Sequence, residues 1–185
     1  MRISRKTIML LVAAACAVAF LNFAYKVMMK QIYPLKYSDW VEQYSEEYNL
    51  DKTLVYAVIK CESNFNPNAV SPKNAKGLMQ LTDETFEWVQ LKDGTDEKLG
   101  AEALFDPQTN IKYGTLLLSL HINEFSDLCT ALAAYNAGRG QVQKWLKDGK
   151  IVEKSDGNCS VPFKETEAYI NRVLKVKEIY QKLYG

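Results

Sequence analysis

Residues 51–81 read DKTLVYAVIKCESNFNPNAVSPKNAKGLMQL, and their apolar side chains first recur at helical spacing and then give way to turn-forming residues. Positions 54, 55, 58 and 59 are all Leu, Val or Ile and share one helical face. The pattern predicts a helix that begins after Asp51, a favourable N-cap residue, and ends near Asn64. Glu62 is the exception on this helix, because it lies on the apolar face, four residues after Val58.

Glu62 is predicted to hold its proton more tightly than an ordinary glutamate. Burial of an ionised carboxylate without a partner is costly, and the last turn of a helix carries the negative end of its dipole. Both effects raise a carboxyl pKa, which suits a proton donor near neutral pH. The residues alone leave a plainer alternative open, in which the side chain reaches solvent past the helix end or pairs with Lys60 or Lys76.

The rest of the chain after residue 37 also has the pattern of helices. It shows neither a sustained alternation of polar and apolar residues nor an Asn-Gly hairpin signal. Loops are expected at 64–77, 92–106 and 148–162, and the fold class is therefore all-α with a single helical domain. We predict six further helices. The first begins after Ser38, the second runs from Leu78 to Leu91, and the third begins at Asp106-Pro107. The fourth runs from Asp127 to Gly138, the fifth includes Val142 to Leu146, and the sixth runs from about Lys164 to Leu183.

Composition limits the classes of function. The chain has 185 residues, of which 48% are hydrophobic and 24% charged, as in a globular domain rather than a disordered chain. The first 37 residues hold six Lys or Arg and no acid, whereas the remainder has 17 basic and 22 acidic residues. A mildly acidic body without a basic stripe argues against binding to nucleic acid.

The metal-ligating residue types are sparse. One His and four scattered Cys, without a Cys-x-x-Cys pair, argue against a metal site, and no motif indicates an organic cofactor. The three cysteines after the membrane segment are Cys61, Cys129 and Cys159. They could form one disulfide, in any of three pairings, or none.

The amino end has the composition of a membrane segment. Ile8 to Tyr25 is an uncharged run of 18 residues, which as a helix spans about 27 Å, close to the hydrocarbon thickness of a bilayer. Basic residues before the run favour a cytoplasmic amino terminus, a single pass through the cytoplasmic membrane and an exported body. We predict a tip and anchor at 1–25, a stalk at 26–37 and the helical domain at 38–185. A cleaved signal peptide, or a lipoprotein cleaved before Cys16, is the alternative.

Four blocks in a fixed order resemble the lytic transglycosylases related to goose-type lysozyme. The likeness covers about residues 40–180 and implies a lysozyme-like fold with a substrate groove. The blocks are Glu62 to Leu81 with its Gly-Leu-Met-Gln-Leu end, Asp106-Pro107 with Asn110, Ile111 and Gly114, Ala-Ala-Tyr-Asn-Ala-Gly at 133–138, and Glu-Thr-Glu-Ala-Tyr at 165–169.

The resemblance implies a reaction, which is cleavage of the β-1,4 bond between N-acetylmuramic acid and N-acetylglucosamine in peptidoglycan. Glu62 matches the family's single acid, which protonates the bridging oxygen and then takes the proton of the muramic C6 hydroxyl. That hydroxyl closes on C1 and leaves a 1,6-anhydro end. The expected partner is the peptidoglycan glycan strand, and service to a wall-spanning secretion or division machine is a further expectation.

Substrate-binding roles follow for other matched positions by the same resemblance. Ser71 is expected to hydrogen-bond near Glu62 or near a sugar acetamido group. Gln80 is expected to contact the substrate beside the scissile bond. Tyr135 and Asn136 precede a helix stop and are expected to project into the groove, although a buried tyrosine with a satisfied hydroxyl is the plainer alternative for the first.

Three matched positions are expected closer to the acid. Tyr169 should face the carboxyl group and orient it, with packing in the core as the alternative. Gly77 should let the backbone approach the acid, with an ordinary turn glycine as the alternative. Met79 is a candidate for substrate binding, with packing under the groove as the alternative. The chain departs from the family pattern at Thr82, where many relatives carry Met, and this alters one wall of the groove.

Two other functions stay open on the sequence. A lysozyme-like hydrolase that uses water needs a second carboxylate, and Asp83, Glu84 or Glu87 would supply it, although a solvated helix face is the favoured interpretation of these acids. A non-catalytic glycan-binding scaffold is the other alternative. No sequence feature distinguishes cleavage at chain ends from cleavage within chains.

Overall fold

The computed structural model describes residues 5–95, 98–125, 127–153 and 159–185, and its body is built from helices. The two short strands form one antiparallel hairpin in which Val152 pairs with Ser160. The all-α prediction is confirmed. The elements are α1 (Arg5–Ile32), α2 (Ser38–Glu47), α3 (Lys52–Ser63), α4 (Asp83–Asp93), a 3-10 helix (Ala101–Phe105), α5 (Pro107–Phe125), α6 (Leu128–Ala137), α7 (Arg139–Lys147), β1 (Val152–Glu153), β2 (Cys159–Ser160) and α8 (Lys164–Tyr184).

The α3 helix forms the centre of the core. The Asp51 side chain caps it by accepting a hydrogen bond from the Thr53 backbone N–H at 2.8 Å, as the sequence predicts. Its middle is fully buried and packs against α8, where the Tyr56 ring stacks on Tyr180 with centroids 5.3 Å apart. The helix ends at Asn64, which adopts a left-handed conformation as the C-cap.

A helix from Leu78 to Leu91 was predicted, and its first five residues are not helical. Residues 76–81 form a tight turn closed by paired backbone hydrogen bonds between Lys76 and Leu81, at 2.9 and 3.1 Å. Helix α4 begins only at Asp83, because the Thr82 hydroxyl accepts the Thr85 backbone N–H and so caps it. Thr82 as a cap, followed by acids in the first turn, is the local sequence signal for this helix start. The prediction followed the apolar residues before it instead.

The turn is fastened to α5 by a buried amide. Asn110 Oδ1 accepts the Met79 backbone N–H at 2.7 Å, and Asn110 Nδ2 donates to the carbonyls of Lys76 and Leu104 at 3.0 and 2.8 Å. Gly77 has a φ of +76°, and a Cβ there would run into the Asn110 amide and the Leu104 carbonyl. A side chain at Gly77 is excluded by space as well as by conformation.

A disulfide resolves the question of cysteine pairing. Cys129, at the start of α6, is bonded to Cys159 in β2, and their Cα atoms are 5.9 Å apart. Cys61 is a free, half-buried thiol, and Cys16 is free and exposed on α1. The bond ties one end of the 148–162 loop to the core, and residues 154–158 of that loop lie outside the described part of the chain.

The amino-terminal helix continues beyond the predicted anchor. Helix α1 runs without a break to Ile32, so that seven residues of the predicted stalk are helical. Ile8–Ile32 is long and apolar enough to cross a membrane, with a mean hydropathy of 2.2 and none of its best window buried against the body. The chain after α1 is fixed to α8, because Tyr184 Oη donates to the Tyr33 carbonyl at 2.8 Å and Tyr180 Oη to the Pro34 carbonyl at 3.1 Å.

Candidate active site

A groove of about 470 Å³ lies between the end of α3, the 71–82 turn region and the end of α6. It brings together five of the predicted site residues, which are Glu62, Ser71, Gln80, Tyr135 and Asn136. The rest of its lining consists of Pro72, Lys73, Ala75, Leu81, Thr82, Thr85, Leu117, Ala137, Gly138 and Glu165. These residues come from chain segments that are far apart in sequence, so only the fold assembles the groove.

Glu62 is half-buried in the last turn of α3 and faces this groove. Burial raises the pKa of its carboxyl group to about 7, while the Tyr169 hydroxyl and the positive charge of Arg172 act in the opposite direction. The two lysines that might have paired with it are engaged elsewhere: Lys60 Nζ donates to the Ile32 carbonyl at 2.6 Å, and Lys76 pairs with Asp83. The plainer alternative of a lysine-paired Glu62 is therefore wrong.

Tyr169 lies beside the acid and is only 2% exposed. Burial, and next the charge of Glu62, raise the pKa of its phenol well above the ordinary value, so it stays neutral. Its hydroxyl has no hydrogen-bond partner of ordinary geometry within the described ranges. A neutral phenol at this position is a donor available to the Glu62 carboxylate.

The turn after Gly77 presents Gln80 to the groove in a constrained conformation. Gln80 has a φ of +53°, which is uncommon for a residue with a side chain. Its Nε2 donates to the carbonyls of Gly77 and Ala69, at 2.9 and 3.1 Å. Ser63 Oγ donates to the Leu78 carbonyl at 2.8 Å and joins the end of α3 to the same turn. The acid and the amide are thus held in a fixed relation.

Ser71 lines the groove but is occupied by its own loop. Its hydroxyl accepts backbone N–H groups of Lys73 and Ala75 at 3.3 and 3.1 Å. The hydroxyl therefore shapes the loop, and no hydrogen bond to Glu62 exists within the described residues. On the far wall, Tyr135 Oη donates to the Met79 carbonyl at 2.8 Å, so that hydroxyl is satisfied while the ring faces the groove.

Three predicted site residues do not line the groove: Tyr169, which lies beside the acid, and Met79 and Gly77. Met79 is fully buried and packs so closely on Gly114 that a Cβ there would lie 2.5 Å from its sulfur. It takes the packing role and cannot bind substrate through its side chain. Gly77 is also buried, and its lack of a side chain makes room for Asn110 rather than for an approach to the acid.

Comparison with known proteins identifies the family of this chain. Residues 39–157 match the family model described as "Transglycosylase SLT domain". The chain belongs to this family of SLT-domain transglycosylases. It is 32% identical over 161 residues to the soluble lytic murein transglycosylase of Salmonella typhimurium. This match covers 85% of this chain and 25% of that protein. It is 31% identical over 169 residues to the membrane-bound lytic murein transglycosylase C of Edwardsiella ictaluri, covering 80% and 47%.

Solved structures of transglycosylases share the fold. The 70-kDa soluble lytic transglycosylase of Escherichia coli superposes with a TM-score of 0.75 and 29% identity, over 85% of this chain and 26% of that one. An inactive glutamate-to-glutamine mutant of the Pseudomonas aeruginosa enzyme Slt superposes with a TM-score of 0.73, over 84% and 25%. The chain thus spans between a quarter and a half of the length of the relatives named here, and the lysozyme-like fold is confirmed.

The sequence did not single out one acid that lines this groove. Glu165 is exposed at the start of α8 and lines the groove. It stands first in the fourth sequence block, which was the available signal. Of the acids proposed for a hydrolase, Asp83 pairs with Lys76 and does not line the groove, and Glu84 lines an adjoining cavity instead.

The described residues offer no constellation for a metal ion. No group of three or more His, Cys, Asp or Glu side chains lies together in the ranges that the structure describes. The single His121 is 3% exposed and stacks with Trp88 at 6.5 Å beside the adjoining cavity. The groove is lined by the Glu62 carboxyl group with its raised pKa and by Gln80, and the neutral Tyr169 phenol lies beside that carboxyl group.

Proposed function

We propose that this chain is a membrane-anchored peptidoglycan lytic transglycosylase that uses Glu62 as its one acid and base. The observation that carries the proposal is the half-buried Glu62 carboxyl, whose pKa of about 7 leaves it substantially protonated at neutral pH while it faces an open groove. The relatives named as lytic murein transglycosylases support murein as the substrate. The inactive glutamate-to-glutamine mutant supports an indispensable glutamate in this family.

The first step is proton donation. Protonated Glu62 gives its proton to the oxygen that bridges N-acetylmuramic acid and N-acetylglucosamine, and the C1–O bond breaks with the electron pair leaving on that oxygen. An ordinary glutamate would be ionised at this pH and could not donate. The apolar setting that raises the pKa is therefore what makes the group an acid.

The second step uses the carboxylate that the first leaves behind. Glu62 takes the proton of the muramic C6 hydroxyl, O6 bonds to C1, and the product carries a 1,6-anhydro ring while the acid is restored. A hydroxyl of the substrate itself is already close to C1, so it serves as nucleophile at little entropic cost. The Tyr169 hydroxyl and Arg172 favour the carboxylate form and so stabilise the enzyme between the two steps.

The location follows from α1. An apolar helix of this length fits a single pass through the cytoplasmic membrane, and the basic residues at its start favour an exported catalytic body. The membrane-bound relative supports association with a membrane. In this arrangement residues 1–25 are tip and anchor, 26–37 connect, and 38–185 act on glycan strands of the wall. Service to a secretion or division machine stays a prediction.

Digestion of purified sacculi with Glu62→Gln tests the proposal. The variant keeps the shape of the side chain and loses the proton, so release of anhydromuropeptides should fall at least ~10²-fold while glycan binding is largely kept. Glu87→Gln, an exposed acid on α4 outside the groove, is the matched control and should behave as wild type. Equal activity of Glu62→Gln and wild type would refute the assignment.

Product mass separates the proposal from a hydrolase. An anhydro end is one water lighter than a reducing end, and digestion in ¹⁸O-labelled water leaves an anhydro product unlabelled. A hydrolase needs a second carboxylate, and in this groove Glu165 is the acid besides Glu62. Reducing ends that carry ¹⁸O, together with their loss in Glu165→Gln, would overturn the transglycosylase proposal in favour of hydrolysis.

A further inference from the structure

A second cavity, of about 380 Å³, lies where the body meets the end of α1. It shares no lining residue with the substrate groove. One side is formed by Tyr33 and by Lys60 and Cys61 of α3. The other side is formed by one stripe of α8, at spacings of three and four residues, which consists of Arg172, Lys175, Val176 and Ile179.

The cavity is strongly positive. Lys60, Arg172 and Lys175 line it, and Lys36 is close enough that its charge, after burial, helps to lower the pKa of Lys60. None of these four cations forms an ion pair with a carboxylate in the part of the chain that the structure describes. Three lining cations with Lys36 near them, and no carboxylate ion-paired to any of them among the described residues, predict an anionic ligand.

The position of the cavity relative to the membrane is restricted. The uncharged run of α1 ends at Tyr25, and the seven helical residues that follow span about 10 Å. The polar layer on each side of a bilayer is roughly 5–8 Å thick. The cavity, lined by Tyr33, therefore lies at the outer edge of the headgroups, within about one Debye length of their charges.

Contacts at the junction restrict rotation of the body, and with it the cavity, relative to α1. Lys60 Nζ donates to the Ile32 carbonyl at 2.6 Å and lies 5.4 Å from the centre of the Tyr33 ring. Tyr184 Oη donates to the Tyr33 carbonyl, and Lys30 lies over the Tyr184 ring at 5.1 Å. These contacts join α1, α3 and α8 on both sides of the junction, so the anchor sets the orientation of the basic cavity.

We propose that this cavity binds the headgroup of an anionic phospholipid from the leaflet on which the body lies. The proposal rests on the membrane anchoring in the proposed function. Phosphodiester oxygens accept hydrogen bonds from Arg172 and Lys175, while Val176 and Ile179 cover the glycerol carbons. The lipid ties the catalytic body to the membrane surface at a second point and limits its rotation about α1.

Native mass spectrometry of the full chain in a neutral detergent tests this proposal. The probes are equal amounts of dioleoyl phosphatidylglycerol and dioleoyl phosphatidylcholine. Wild type should retain phosphatidylglycerol in preference, and the double variant Lys36→Gln/Lys175→Gln should lose at least ~10-fold of that preference. Lys144→Gln/Lys147→Gln removes the same charge from two exposed positions on α7 and should keep it.

The outcomes decide between sources of the phosphate. Equal retention of phosphatidylglycerol by wild type and Lys36→Gln/Lys175→Gln would overturn the proposal. So would full displacement of the lipid by an equal concentration of glycerol 3-phosphate, which would indicate a site for free phosphate. Circular dichroism at the temperature of the assay shows that the double variant is folded, so loss of lipid then reports the site itself.

Cys61 gives an independent readout in nanodiscs. Its free thiol lines the cavity, so a bound headgroup should slow its reaction with an uncharged maleimide. We expect slower labelling at Cys61, mapped by peptide mass, in discs with phosphatidylglycerol than in phosphatidylcholine discs, and no difference in Lys36→Gln/Lys175→Gln. The same rate in both lipids for wild type would contradict occupancy. Failure of the proposed function is seen separately, as a chain that fractionates without membranes or releases no anhydromuropeptides.

Discussion

The pH dependence of glycan cleavage should report the pKa of Glu62 directly. Burial raises that pKa from 4.5 to about 7, so about half of the molecules carry the proton at pH 7. A carboxyl group at 4.5 would be protonated in only about 0.3% of molecules, a difference of roughly 150-fold. Because the first step needs the protonated acid, kcat/KM, which reports the free enzyme, should be level below pH 6 and fall about tenfold per pH unit above 7.

The substitution Tyr169→Phe tests how the surroundings of Glu62 set its pKa. The Tyr169 hydroxyl lowers the pKa of Glu62, so its removal should move the falling limb to higher pH, by up to about one unit. The level part of the profile should drop at the same time, by about 10-fold, because the carboxylate formed in the first step loses a donor. The assay is the initial rate of anhydromuropeptide release from sacculi between pH 4.5 and 9, in neutral detergent.

Tyr56→Phe is the matched control on the helix that carries the acid. The Tyr56 hydroxyl is also buried without a hydrogen-bond partner among the described residues, but its charged neighbours are Glu42 and Asp39 rather than Glu62. Removal of the Tyr56 hydroxyl should change neither the rate in the level part of the pH profile nor the pH at which the rate falls, and it should cost little stability. A wild-type limb near pH 4.5, or a downward shift in Tyr169→Phe, would refute the reasoning.

Three further predictions concern stability. Because the pKa of Glu62 is raised in the folded state, the proton stabilises the fold below pH 4.5, and the stability falls as pH rises through 7. Glu62→Gln should therefore raise the free energy of unfolding in urea titrations more at pH 8.5 than at pH 4, by at most about 3 kcal/mol. Gly77→Ala should lower the free energy of unfolding by about 2–4 kcal/mol in urea titrations, because a Cβ there meets the Asn110 amide at a positive φ. Cys129→Ala/Cys159→Ala, which opens a loop of 30 residues, should cost about 2–4 kcal/mol in the same titration.

The Gly77 and cysteine predictions each have a matched control variant within the chain. Gly100→Ala places a Cβ in open space at a negative φ and should be nearly neutral. Cys61→Ala removes a free thiol and should not make the protein less sensitive to reductant, whereas the double cysteine variant should. A pH-independent gain in Glu62→Gln, or equal costs at Gly77 and Gly100, would count against the corresponding argument.

Local signals in the sequence predicted the features that local chemistry decides. The Asp51 cap, the Asp106-Pro107 start of α5 and the Asp127 start of α6 depend on side chains within three residues, and all three are confirmed. The raised pKa of Glu62 was also predictable, because helical periodicity placed the carboxyl on the buried face. The same periodicity was wrong at Leu78, where a buried residue belongs to a turn instead of a helix.

Long-range contacts decided what the sequence could not predict. Residues 76–81 form a turn because Asn110, about thirty residues away, bonds to their backbone. The burial of Met79 follows from that turn, and its apolar type alone could not separate packing from substrate binding. Pairing of Cys129 with Cys159 depends on β2 lying against α6, and three cysteines in sequence allow each choice equally.

The packed pair α3 and α8 carries both sites, and neighbouring residues face in different directions. Lys60 and Cys61 line the basic cavity while Glu62 faces the groove; on α8, Tyr169 adjoins the acid and Arg172 lines the cavity. Arg172 belongs to both environments, because its charge lowers the pKa of Glu62. An anion bound in the cavity offsets that charge, so the pKa of Glu62 rises and the protonated fraction at neutral pH increases. The effect is small because Arg172 is exposed and screened, and its two consequences oppose each other: a larger protonated fraction favours the first step, whereas the carboxylate formed there loses part of its stabilisation.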